Sequence, residues 1–301
     1  MAAAFYMFQQ EALAIGLSIN VNKCELITSS AQDIDTSLFP SNIQLITDGN
    51  LEYLGAPIGS PEFCNDYTKS KVVKLKPLFN AIAEIEEPQV SYLLLKNCSS
   101  YGKMVYSART TPHDWHSAAL AAFDYEVRFC FEQSTGIHST DLQWSKATLS
   151  TRNGGLGFRK SMEHSHAAYL ASATSCSKRC KLVDQQVIWD TDSQNSHVKR
   201  ALSAFNANVL EVDKIILDPE NTILQQNKLS EALDKALISA INNDSDMLSK
   251  AHFNLERAPV CGDWINALPS ESIDNTVKGV LFCLMPVSYT HLRAHETLRY
   301  L

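Results

Sequence analysis

The hydrophobic period of this chain changes at Ser60, from strand-like alternation to helical spacing, and that change sets its fold class. Ahead of it, Phe5, Phe8, Ala12 and Ile15 form one helical stripe over residues 2–15, with Gly16 where a C-terminal cap belongs. Leu17, Ile19 and Val21 then alternate with Ser18, Asn20 and Asn22, the pattern of a half-buried strand. Residues 43–47 and 51–54 flank Asp48-Gly49-Asn50, which predicts a hairpin with Gly49 at the positive φ of its turn.

Past Ser60 the pattern is helical. Ser60-Pro61 offers an N-cap and a first-turn proline for a helix to about Glu86. Pro88 opens a second helix, in which Tyr92, Leu95, Tyr101, Met104, Val105 and Ala108 recur at helical spacing. Thr111-Pro112-His113-Asp114 opens a third, to about Glu132, and Ser139 or Thr140 caps a short fourth. Asn153-Gly154-Gly155-Leu156-Gly157 interrupts the pattern before a helix carrying Met162, Ala168, Tyr169, Leu170 and Ala173. Residues 184–285 read as further helices with loops at Asp218-Pro219 and Ala258-Pro259. The expected class is α+β: a small antiparallel β portion followed by mostly α-helical structure.

With 45% apolar and 20% charged residues, the chain is not a disordered one, and no apolar run reaches the length of a membrane span. Its eight cysteines are scattered and read as reduced thiols in an intracellular setting. The net charge of −7 hides two basic segments, +3 over residues 66–109 and +4 over residues 140–200. A polyanion would meet the chain through these segments alone, and each also reads as a solvated helix face.

Local motifs name no active site. The Gly154–Gly157 cluster fits neither a P-loop nor a dinucleotide fingerprint and reads as a turn between helices. His164, His166, Cys176 and Cys180 fall on one predicted helix, too far apart along its axis for one tetrahedral zinc. Asp33-x-Asp35 and Asp190-x-Asp192 have the shape of a carboxylate metal grip but sit in polar, loop-like stretches. No metal ligands are assigned.

Several stretches together resemble one family. Gly16-Leu17-Ser18-Ile19-Asn20-Val21-Asn22-Lys23-Cys24-Glu25 resembles the fourth conserved block of a reverse transcriptase palm, and Tyr53-Leu54-Gly55 the primer-grip turn of the fifth. Residues 93–112 resemble the thumb of non-LTR (LINE-like) retrotransposon enzymes. So do Trp144–Leu149 with Asn153–Arg159 and Ala167–Ser172, while Gly262–Ser270 resembles an element beyond that thumb. The resemblance covers nearly all of residues 5–285. It implies a palm end over residues 1–60, a helical thumb over 61–183 and a helical region over 184–286.

In such an enzyme, an RNA-directed DNA polymerase and so a nucleotidyltransferase, Lys23 matches the lysine that neutralises or protonates departing pyrophosphate, a catalytic role. Tyr53, Leu54 and Gly55 match the primer grip. Lys69, Lys71, Lys74 and Lys76 on the first thumb helix, with Lys96, Lys103 and Arg109 on the second, would contact template–primer phosphates. Helical spacing places Lys69 with Lys76, and Lys96 with Lys103. The implied partners are an RNA template and a DNA primer, with no membrane and no small-molecule cofactor. The implied location is the nucleus or a cytoplasmic ribonucleoprotein.

The family's two Asp blocks, the second a Y/F-x-D-D hairpin, hold Mg²⁺ or Mn²⁺ in the full-length enzyme. No Y-x-D-D occurs in these residues, so this stretch alone is expected to bind no such ion and not to polymerise. Residues 287–301 are expected to be foreign: Val287–Thr297 back-translates to a string resembling a transposase-type sequencing adaptor. The expectation is then a piece of a longer open reading frame. The alternative readings are a non-catalytic nucleic-acid-binding protein and a helical scaffold derived from a retrotransposon remnant.

Overall fold

The computed structural model describes residues 2–28, 35–186, 193, 196–218, 223–245 and 247–257. Asp33, Asp190-x-Asp192, the Gly262–Ser270 block and the tail from Val287 lie outside the described residues. Those described are mostly helical, with four three-residue strands in two small sheets, an α+β composition. The chain divides into two compact units, Met1–Cys64 and Asn65–Leu301.

In the first unit, helix α1 (Ala2–Ala14) buries Ala12 and packs Phe5 edge-on to Phe39, ring centroids 6.3 Å apart. Phe8 and Ile15 of the expected stripe stay exposed. Gly16 takes φ 81°, and the Leu17 N–H returns to the Ala12 carbonyl at 2.9 Å, closing the helix as the cap signal implied.

The β portion departs from expectation in three ways. No strand forms over residues 17–21; alternation there meets no pairing edge, and Val21–Lys23 winds into a 3₁₀ turn. The strand follows Lys23 instead, as β1 (Glu25–Ile27), paired in parallel with β2 (Gln44–Ile46). The hairpin across Gly49 does not form either. Gly49 takes φ 72° and Asp48 Oδ1 accepts the Asn50 N–H at 3.0 Å, so the turn is real. Its flanks find other partners, however: β3 (Leu51–Tyr53) pairs forward with β4 (Ala56–Ile58), in antiparallel register. One of the two sheets is therefore parallel, not antiparallel.

In the second unit the helices follow the sequence more closely. Helix α2 (Pro61–Ala83) starts where Ser60 Oγ accepts the Phe63 N–H at 3.2 Å. The second expected helix is broken. It begins as α3 (Pro88–Leu94), capped by Glu87, widens into a π turn at Leu95–Ser99, tightens to 3₁₀ at Tyr101–Lys103 and resumes as α4 (Val105–Thr110). The break falls on Asn97-Cys98-Ser99-Ser100, side chains that compete with backbone hydrogen bonding; Ser100 Oγ donates to the Lys96 carbonyl at 2.6 Å.

Helix α5 (His113–Thr135) ends at Gly136, φ 70°. Thr140, not Ser139, caps α6 (Asp141–Thr148), in a reciprocal box with Gln143. Ser139 is occupied with Glu132, donating to its Oε1 at 2.6 Å. The Gly154–Gly157 segment is the expected turn between helices. A Cβ on Gly155 would overlap the carbonyl oxygen of Leu149, so only glycine permits that approach.

Helix α7 (Ser161–Val183) is the hub, packed against α4, α5, α8 (His197–Ala207) and α9 (Gln226–Asp244). Its first N–H groups are capped from α5: Asp124 Oδ1 accepts from Ser161 at 2.7 Å and Oδ2 from Met162 at 2.9 Å. Small residues at Ala167, Ala168 and Ala171 let its neighbours approach closely. One core joins Phe79, Leu120, Phe123, Phe131, Trp144 and Phe158 among the helices before α7; a second joins α7, α8 and α9 through Leu170, Phe205 and Leu229. Burial of each of these large side chains contributes about 1.5–3 kcal/mol. Helix α10 (Met247–Glu256) adds Phe253 to a small cluster with Leu149, Ile238 and Ile241.

Candidate nucleic-acid interface

In the first unit Lys23, the expected catalytic lysine, is exposed at the end of its 3₁₀ turn, immediately ahead of β1. Tyr53-Leu54-Gly55 ends β3 and makes the two-residue turn into β4, with Tyr53 paired to Ala56. Leu54 has φ 50° and Gly55 φ 78°, both left-handed, as a hairpin turn of this length requires. For a leucine that conformation costs about 1–2 kcal/mol. Leu54 also stays 78% exposed, so apolar burial at that side chain does not offset the strain. The turn is braced at its base, where Asn50 Oδ1 accepts the Ser60 N–H at 2.8 Å beside Gly59.

In the second unit the seven basic residues divide into two groups. Lys69 and Lys74 on α2, Lys103 in its 3₁₀ turn and Arg109 on α4 are exposed, with no ion pair among the described residues. The other three are engaged. Lys71 lies over the rings of Tyr67 and Tyr106, at 4.6 and 5.8 Å, and donates to Ser107 Oγ at 3.3 Å, tying α2 to α4. Lys76 pairs with Glu126 of α5 at 2.7 Å, a half-exposed bridge worth about 0–1 kcal/mol. Lys96 is half-buried over Tyr92, 5.5 Å from the ring, its stem laid along Gly157. Burial there pulls its ammonium pKa below the usual lysine range.

Lys69 and Lys76, seven residues apart on a continuous helix, do share a face. Lys96 and Lys103 do not share a regular helical face, because the π turn and the break at Ser100 intervene.

The histidines and cysteines of the excluded zinc pattern all lie on α7, where His164 is buried and Cys176 and Cys180 are exposed. Among the described residues no three His, Cys, Asp or Glu side chains converge as metal ligands. No helix among the described residues is long and apolar enough to cross a membrane.

The structure thus defines the class of the chain: a helical α+β protein with a strained exposed turn in one unit and exposed cations along two helices of the other. No family model, no curated protein and no solved structure matches it.

Proposed function

We propose that this chain is part of a non-LTR retrotransposon reverse transcriptase, contributing a palm end and a thumb that holds template–primer duplex. The observation that carries the reading is the row of lysines on α2, Lys69 to Lys76, with no acid among them inside an acidic chain. Lys69 and Lys74 are free of ion pairs among the described residues, so a phosphate would displace no salt bridge at either of them. The tight turn at Leu54-Gly55 adds to it. An exposed apolar side chain held at positive φ is kept at a cost that folding alone does not require.

The contacts are with the backbone of the duplex and carry no sequence preference. Lys23 takes the pyrophosphate role in the assembled enzyme, where the Asp blocks and their Mg²⁺ or Mn²⁺ complete the site. These 301 residues alone do not polymerise.

The test is fluorescence anisotropy of a labelled RNA–DNA hybrid with the full chain, over a salt series. The expected result is measurable binding at low salt, weakening as salt rises. Lys69→Glu with Lys74→Glu should weaken it about tenfold and flatten the salt slope by about two. An absence of binding at low salt would overturn the reading and favour a helical scaffold, to which the net charge of −7 is better suited.

A further inference from the structure

The second basic segment, residues 140–200, is not used by the thumb lysines, and part of it converges on a cleft. The cleft has a volume of about 500 Å³ and is lined by the Ser150–Asn153 turn, Arg159, Glu231 and Lys235. Its lining residues among those described are polar or charged. Three cations reach it from three places: Arg152 from the 3₁₀ turn Thr151–Asn153, Arg159 from the stretch before α7, and Lys235 from α9. One acid, Glu231, shares the lining.

The cleft is held in shape from below. Asp234 is 3% exposed and accepts from Asn153 Nδ2 at 3.3 Å and from Ser150, which fixes the turn that presents Arg152. Arg159 Nη2 stands 3.8 Å from the same carboxylate, close enough to be oriented by it while 30% of its side chain stays exposed. Lys235 pairs with Asp213 at 3.2 Å, but its side chain is 60% exposed, and a bridge that wet yields to a better anion at little cost. Arg152 is exposed and has no ion pair among the described residues. Two guanidiniums and an ammonium around one polar hollow, with the Thr151 hydroxyl in its lining and Ser150 and Asn153 engaged by Asp234, form a donor set suited to a tetrahedral oxyanion. Guanidinium recognises its oxygens in pairs, while the ammonium acts as a point charge.

We propose that this cleft binds a phosphate group of a nucleic-acid backbone, a second anchoring point beyond the thumb helices. It rests on the nucleic-acid reading above, but on different residues, so the two are separable. The cleft positions a strand and does not read its sequence.

The test uses the full chain and the same labelled hybrid, with Arg152→Glu and Lys235→Gln together, both at exposed side chains. The expected result is about a tenfold loss of affinity and a salt slope shallower by about one, with Arg152→Lys restoring most of the affinity. Unchanged binding by the double variant would overturn the proposal, even if Lys69→Glu with Lys74→Glu weakens binding and upholds the thumb. Loss in the cleft variant alone would uphold the cleft and overturn the thumb. Inorganic phosphate, titrated by calorimetry, separates the sources. If it binds in a variant-sensitive way while the hybrid is indifferent to the variants, the assignment to nucleic acid falls.

Discussion

Asp124 shows how much one buried side chain can organise. It belongs to α5 yet caps α7, accepting two backbone N–H groups. Burial pushes its carboxyl up to about 6, against the pull of those donors. Asp124→Ala leaves both N–H groups without that acceptor, the buried Ser161 among them, and urea unfolding should show a loss of about 2 kcal/mol. Asp124→Asn keeps one acceptor and should cost less. Glycine positions separate by mechanism in the same way. Gly155→Ala drives a methyl into the Leu149 carbonyl and should cost about 3 kcal/mol. Gly136→Ala meets open space and only the strain of φ 70°, and should cost about 1 kcal/mol.

The buried histidines set the pH dependence. Burial lowers His164 to about 3, and His116 and His166 each to about 4, from an ordinary 6.5. An unfolded chain protonates these imidazoles first, so their contribution is full above about pH 6.5 and is lost as pH falls from there towards 4. Asp124 runs the other way: its contribution is full below about pH 3.8 and is lost as pH rises through 6. Burial raises the Asp234 carboxyl too, so it opposes the histidines in the same direction as Asp124. Three histidines outweigh these two carboxyls, and the urea midpoint should fall between pH 7 and pH 4.5. A midpoint that rises over that interval would contradict the neutral, buried assignment.

At the scale of elements, what the sequence revealed was what is local. The Gly16 terminus, the Ser60 cap, a cap at Ser139 or Thr140 and the Gly154–Gly157 turn each arise within a few residues, and each was legible. The parallel pairing of β1 with β2 joins residues nearly twenty apart, and no turn signal announces it. The hairpin was misplaced for a related reason. Asp48-Gly49-Asn50 carries the strongest turn chemistry, yet the pairing went to Leu54-Gly55, whose leucine gives no such signal. The break after α3 was hidden because Tyr101 and Met104 keep helical spacing across it. At the site, the lysines of α2 were legible as a row, but the partners that engage Lys71, Lys76 and Lys96 come from elsewhere in the fold. Arg152 stood in the sequence only as part of a charge sum, Arg159 only there and at the end of a stretch resembling a thumb, and Lys235 lay outside that segment altogether. One prediction belongs at this scale. Leu54→Asn relieves the left-handed strain and should raise stability by about 1 kcal/mol, read as a higher thermal midpoint.

At the scale of the molecule, an acidic chain can hold a polyanion only where its cations are gathered and unpaired. Helix α2, where Lys69 and Lys74 form no ion pair among the described residues, and the cleft beside α9, where Arg152 forms none, are the two places proposed. The central claim is that the chain is a stretch of a retrotransposon reverse transcriptase, and sequencing the genomic locus across both ends tests it most directly. The account predicts an open frame continuing upstream through an F/Y-x-D-D block and an earlier Asp block, with different residues replacing those from Val287 on. A promoter, a start codon and a stop enclosing this stretch alone would contradict it.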